Sequence, residues 1–218
     1  MLKSRKHVFW EAFFLTIVVF FFGLLLGIAY ESSRINEVSE YYAVSEISLM
    51  DIFALNNLID LENTDCDAVI QANINFADKI YEEALIMENY VDAGRMSDFR
   101  GNLIHQRYDL LRTFLWINVK KTREKCGKEF SSVVYLYEYD TPDLVDKATQ
   151  VVWSKILADF KSEQGDEIIL IPIAVNTGLA SLDSLIQEFN ITNFPVVIIN
   201  DETVLSSLAS IEDLEEHL

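Results

Sequence analysis

Tyr135-Leu136-Tyr137-Glu138-Tyr139-Asp140-Thr141-Pro142-Asp143 is the stretch on which the fold turns. The run from Val133 to Glu138 reads as a strand, and the proline that follows belongs in a helix's first turn, where its missing N–H costs nothing. Asp140 or Thr141 can accept from the free N–H groups of that helix, and Asp143 suits its positive end. Capping accounts for the aspartates more simply than a carboxylate pair that binds metal or moves protons.

Downstream, the pattern predicts a helix over Pro142–Gln164, a buried strand over Ile168–Val175 and a short helix over Ser181–Phe189. Strands over Val196–Asn200 and Thr203–Ser206, joined by an Asp201-Glu202 turn, and a final helix over Ile211–His217 complete a βαβαββα order. This order resembles the thioredoxin family over residues 131–218. In that family an aromatic residue precedes Cys-Gly-Pro-Cys at a helix start; here Tyr139-Asp140-Thr141-Pro142-Asp143 has the same spacing and keeps the proline. Ile191-Thr192-Asn193-Phe194-Pro195-Val196-Val197 is similar to the family's segment carrying a cis-proline before its third strand.

The resemblance implies a cis bond before Pro195 and a shallow peptide-recognition patch made by Tyr139, Asp140, Thr141, Phe194 and Pro195. It also marks a departure. Disulfide exchange needs a thiolate to attack sulfur, and aspartates at 140 and 143 cannot form a mixed disulfide. Cys126 precedes the first strand and does not supply the missing thiol. No catalytic residue is assigned.

Upstream, residues 32 to about 126 contain no proline and show three helical runs. The first carries a seam of Val38, Tyr42, Leu49, Ile52 and Ile59, completed by Ser45 and Asn56, suited to packing on a neighbouring hairpin or to a short coiled coil. Asn63-Thr64-Asp65 breaks and recaps the chain before the second run, Val69, Phe76, Ile80, Ala84, Met87 and Val91. Gly94 is the expected C′ residue and Ser97 the N-cap of the third run, whose stripe is Leu103, Leu110, Phe114 and Ile117. An antiparallel hairpin follows, and it brings Cys66 level with Cys126. A structural disulfide is the preferred reading, with free thiols and a cycling redox pair as alternatives; scattered histidines and wide cysteine spacing argue against a metal site.

Residues 12–30 are apolar apart from Thr16 and about 28 Å long as a helix, which matches a bilayer core. Lys3, Arg5, Lys6 and His7 precede this stretch and Glu31, Glu37 and Glu40 follow it, so the N-terminus is expected in the cytoplasm and the remainder outside. Gly27-Ile28-Ala29 resembles a cleavage site, but the apolar stretch exceeds a signal-peptide core. Gly23 and Gly27 form a GxxxG pair compatible with a homodimer. Residues 31–218 hold 14 Lys+Arg against 34 Asp+Glu, a net charge of −20 that disfavours nucleic acid and anionic lipid.

The sequence therefore predicts an α+β chain with a cytoplasmic tip and anchor (1–31), a helical hairpin or three-helix stalk (32–127) and a thioredoxin-like domain (128–218). The expected role is an extracytoplasmic binding or scaffolding module in the cell membrane, for an unidentified protein or peptide, without a cofactor. A thiol-disulfide oxidoreductase using Cys66 and Cys126, or a purely structural membrane oligomer, are the alternatives. Asn190-Ile191-Thr192 fits a glycosylation acceptor.

Overall fold

The computed structural model describes residues 5–59, 65–92, 98–127 and 130–218; side chains at 5–6, 31–42, 45, 56, 87–92 and 98–100 are outside the description. The chain divides into two compact units, Met1–Ile47 and Ser48–Leu218. Helix α1 spans Arg5–Ile59, so the expected anchor and the first helical run are one helical element. Within it His7–Tyr30 is long and apolar enough to cross a membrane, with a mean hydropathy of 2.7. The hydroxyl of Thr16 donates to Ala12 O at 2.9 Å, which satisfies that hydroxyl within the helix.

In the second unit α2 (Cys66–Asp92) and α3 (Asp98–Cys126) form the expected hairpin pair, and Cys66 is bonded to Cys126 with 5.5 Å between their Cα atoms. Asp65 starts α2 by accepting from Ala68 N–H through its carboxylate. The expected turn residues Gly94 and Ser97, with Asn63 and Thr64, lie outside the described residues. Of the first-run seam, Ile52 and Ile59 are buried, while Val38, Tyr42, Ser45 and Asn56 have no described side chains. Asn118 Nδ2 donates to Ile52 O at 3.1 Å and Lys125 Nζ to Ile59 O, so the end of α1 lies along α3.

The remaining elements are β1 (Ser131–Tyr137), α4 (Leu144–Gln164), β2 (Ile168–Ala174), α5 (Ala180–Glu188), β3 (Val196–Ile199), β4 (Thr203–Leu205) and α6 (Ile211–Glu215). The strands form one sheet in the order β2-β1-β3-β4, with β1 and β2 parallel and the other pairs antiparallel. Val133, Tyr135, Val197 and Ile199 point to one face, where Trp153, Leu157, Phe160 and Leu214 complete a buried cluster. The alternate residues Val134, Leu136, Ile171 and Ile198 are also buried, on the face that α3 covers. A sheet covered on both sides explains why β1, β2 and β3 read as continuous apolar runs rather than alternating ones.

Two local expectations change. Pro142 lies outside α4: Asp143 is its N-cap, accepting from Val145 N–H at 2.7 Å and Asp146 N–H at 3.2 Å, because a short carboxylate reaches both free amides. The β3–β4 turn is centred on Asn200 and Asp201, both at φ 58, rather than on Asp201-Glu202, since Asn and Asp tolerate the left-handed region best. The hairpin packs within the same compact unit as the sheet, a point the sequence leaves open. Trp116 Nε1 donates to Asp201 at 2.7 Å, Gln106 Nε2 to Thr177 O at 2.8 Å and Lys120 Nζ to Glu188 at 2.5 Å, all from α3.

Candidate functional site

Leu136 pairs with Val196 and Tyr137 with Ala174, so the segments following β1 and β2 and the segment preceding β3 all leave the sheet at one end. The five residues expected to form a recognition patch sit on two of these segments. In folds of this kind ligands favour the ends of parallel strands, where loops from several elements converge.

Tyr139 is fixed by Asn176, whose side chain copies a strand partner: Tyr139 N–H donates to Asn176 Oδ1 and Asn176 Nδ2 donates to Tyr139 O, both at 2.8 Å. The Tyr139 ring lies on His105 of α3, with centroids 4.0 Å apart. Asp140 adopts φ 49, keeps its carboxylate 82% exposed and stands 3.9 Å from Lys147 Nζ. An exposed pair at that distance adds little stability. Thr141 is buried and its hydroxyl accepts from Asp143 N–H at 3.4 Å. The Phe194–Pro195 peptide bond is cis; Pro195 is buried and Phe194 half-buried.

Of these five, Tyr139 lines a cavity of about 370 Å³ together with Asn102, Leu103, His105, Gln106, Asn176 and Thr177, which α3 and the segment after β2 supply. No local spacing marks this group as a site, because its approach to Tyr139 depends on α3 docking against the sheet. Leu144 and Val145, 81% and 73% exposed, open a stripe continued by Ala148, Val151 and Val152. The spacing was visible in the sequence. It places this stripe on the side of α4 opposite Trp153, Leu157 and Phe160.

Below the cavity Asp109 is 1% exposed. Its Oδ1 accepts from Ala174 N–H at 3.1 Å and lies 3.4 Å from Arg112 Nη1, while Oδ2 has no hydrogen-bond partner. Burial raises its pKa to about 6, against the opposing pull of the Arg112 charge and the Ala174 amide. Burial likewise raises Asp201, opposed first by the Trp116 hydrogen bond. Both carboxylates join α3 to strand ends. Among the described residues no three His, Cys, Asp or Glu side chains are grouped to hold a metal ion, and neither cysteine is free.

No protein-family model matches the chain, and no curated protein matches it. A solved structure titled "Structure of a malarial protein" is similar over 41% of this chain and 98% of its own length, at 18% identity and a TM-score of 0.32.

Proposed function

We propose that this protein is a membrane-anchored binding module whose sheet domain is thioredoxin-like and takes an extended peptide or protein segment at the Tyr139–Pro195 end. The observation that carries the reading is the sheet itself: a parallel β1–β2 pair joined through α4, followed by an antiparallel β3–β4 hairpin, with Pro195 immediately before β3. That arrangement supports the family likeness of residues 131–218.

The proposed role is binding without thiol chemistry at this end, since the positions that would carry thiols hold Asp140 and the helix cap Asp143. Both cysteines instead join the α2 start to the α3 end, which supports a structural bridge. With basic residues before the anchor, the bridge also supports an extracytoplasmic location for the second unit. Exposed apolar side chains at Leu144 and Val145, in sequence next to the turn, give a partner something to bury.

The test is crosslinking of the full chain in native membranes, comparing wild type with a Tyr139→Ala/Phe194→Ala variant. The expected outcome is loss of specific partner adducts at equal expression. Adducts unchanged in identity and yield would refute the site.

A further inference from the structure

The sheet ends at β2, and the outward side of that strand carries backbone hydrogen-bonding groups that no other strand pairs with. Asn200 N–H donates to Ser132 O and Ser132 N–H donates to Asn200 Oδ1, so the even-numbered residues of β1 face β3 and the odd-numbered ones face β2. In a parallel pair each such residue bonds to the two neighbours of its opposite number. With Val133 opposite Leu170 and Tyr135 opposite Pro172, Ile169, Ile171 and Ile173 bond to β1. The backbones of Ile168, Leu170, Pro172 and Ala174 therefore turn outward.

Both ends of this edge are closed by the protein's own groups. Lys161 Nζ donates to Ile168 O at 2.8 Å, Ala174 N–H donates to Asp109 at 3.1 Å, and Thr177 Oγ1 donates to Ala174 O at 3.2 Å. Pro172 has no N–H to offer. Such blocking limits pairing between sheet edges. What remains is a short window: Leu170 N–H, Leu170 C=O and Pro172 C=O have no partner among the described residues.

That window opens on a cavity of about 340 Å³ between α2 and α4. Ile74, Ala77 and Tyr81 wall it from α2, Ala158 from α4, and Leu170 and Pro172 form its floor. Asp78, Lys161 and Ser162 complete an otherwise apolar lining, and unpaired backbone groups at strand spacing beside such a cavity suit strand addition, in which main-chain bonds provide affinity and the cavity takes a side chain. A purely hydrocarbon ligand would cover those polar groups without satisfying them, which costs free energy.

We propose that the β2 edge is a second docking site, for a short extended peptide that pairs with Leu170 and inserts one aliphatic side chain between α2 and α4. The Lys161 and Asp109 contacts at either end keep the paired stretch to a few residues. This site shares no residue with the Tyr139–Pro195 end.

A heptapeptide library displayed on phage, selected against the full chain in detergent micelles, supplies the probe, and recovered peptides are resynthesised. The expected result is slowed hydrogen exchange at the Leu170 amide on binding and at least a tenfold higher Kd in both Ala77→Trp and Ala158→Trp, with circular dichroism unchanged. Failure to recover any peptide, or Leu170 exchange that peptide leaves unchanged, overturns the proposal without needing either variant. Peptides that bind both tryptophan variants normally but lose binding in Tyr139→Ala/Phe194→Ala overturn the edge site and support the site at the other end.

Discussion

On one face of the sheet α4 packs Trp153, Leu157 and Phe160 on a cluster of strand side chains, and two hydrogen bonds flank that apolar contact, Tyr135 Oη to Gln150 O and Lys161 Nζ to Ile168 O. On the other face α3 buries Leu111, Leu115, Trp116 and Val119 as well, but it adds Asp109 on Ala174 N–H, Gln106 on Thr177 O and Trp116 on Asp201. Apolar burial supplies most of the free energy of either layer without fixing a unique register. Directional bonds from one helix to the end of β2, to the segment after it and to the β3–β4 turn determine where the hairpin sits, and so decide which α3 residues line the cavity beside Tyr139.

The largest break in this contrast comes from the dry face. Trp153→Ala removes a fully buried indole, and the expected loss is about 3–5 kcal/mol of unfolding free energy in a urea titration of the full chain in detergent. A loss under about 1 kcal/mol would mean that the α4 layer is not the principal core.

On the wetter face the Cys66–Cys126 bond ties residues separated by 60 positions. In the chain-entropy model, Cys66→Ser with Cys126→Ser lowers stability by up to about 4 kcal/mol, measured by the same titration. Thiol alkylation of native membranes, before and after reduction, checks the bridge itself: both cysteines are expected to be protected until reductant is added.

Asp109 separates the faces by pH. The folded carboxyl keeps its proton up to about 6, whereas an unfolded aspartate loses it near 3.9. The folded state thus holds more protons between these values, and this group's contribution to stability falls as pH rises through them. Relative to Asp109→Asn, wild type should lose on the order of 2–3 kcal/mol between pH 3.5 and 7. Parallel stability curves for the two proteins would disprove the link. Smallest is the cap: Asp143→Ala should cost about 1 kcal/mol and increase amide exchange at Val145 and Asp146 without moving the α3 contacts.

Much of the second unit's architecture was legible because its signals are local. Apolar runs marked β1, β2 and β3, the Asp140–Asp143 segment marked a helix start, and helical periodicity on either side of the hairpin turn brought Cys66 level with Cys126. The capping residue was misplaced by the attraction of Pro142 to a helix's first turn; Asp143 prevails because its carboxylate reaches two amides. The candidate site was legible only in its chain-local half. Tyr139 and Pro195 are adjacent to strand ends, but Asn176, His105 and Gln106 arrive from other elements, and no spacing in the sequence announces that convergence.

By itself, then, the sequence determined the apolar helix that is long enough for a membrane, the helical hairpin and the run of strands and helices, because periodicity and capping act within a few residues. Only the tertiary structure decided that α3 lies on the sheet, that Asp109 and Asp201 are buried against strand ends, and that among the described residues the β2 edge is closed except at Leu170 and Pro172. Those outcomes depend on hydrogen bonds between residues far apart in the chain, whose partners are selected when apolar faces pack together and water is excluded around them.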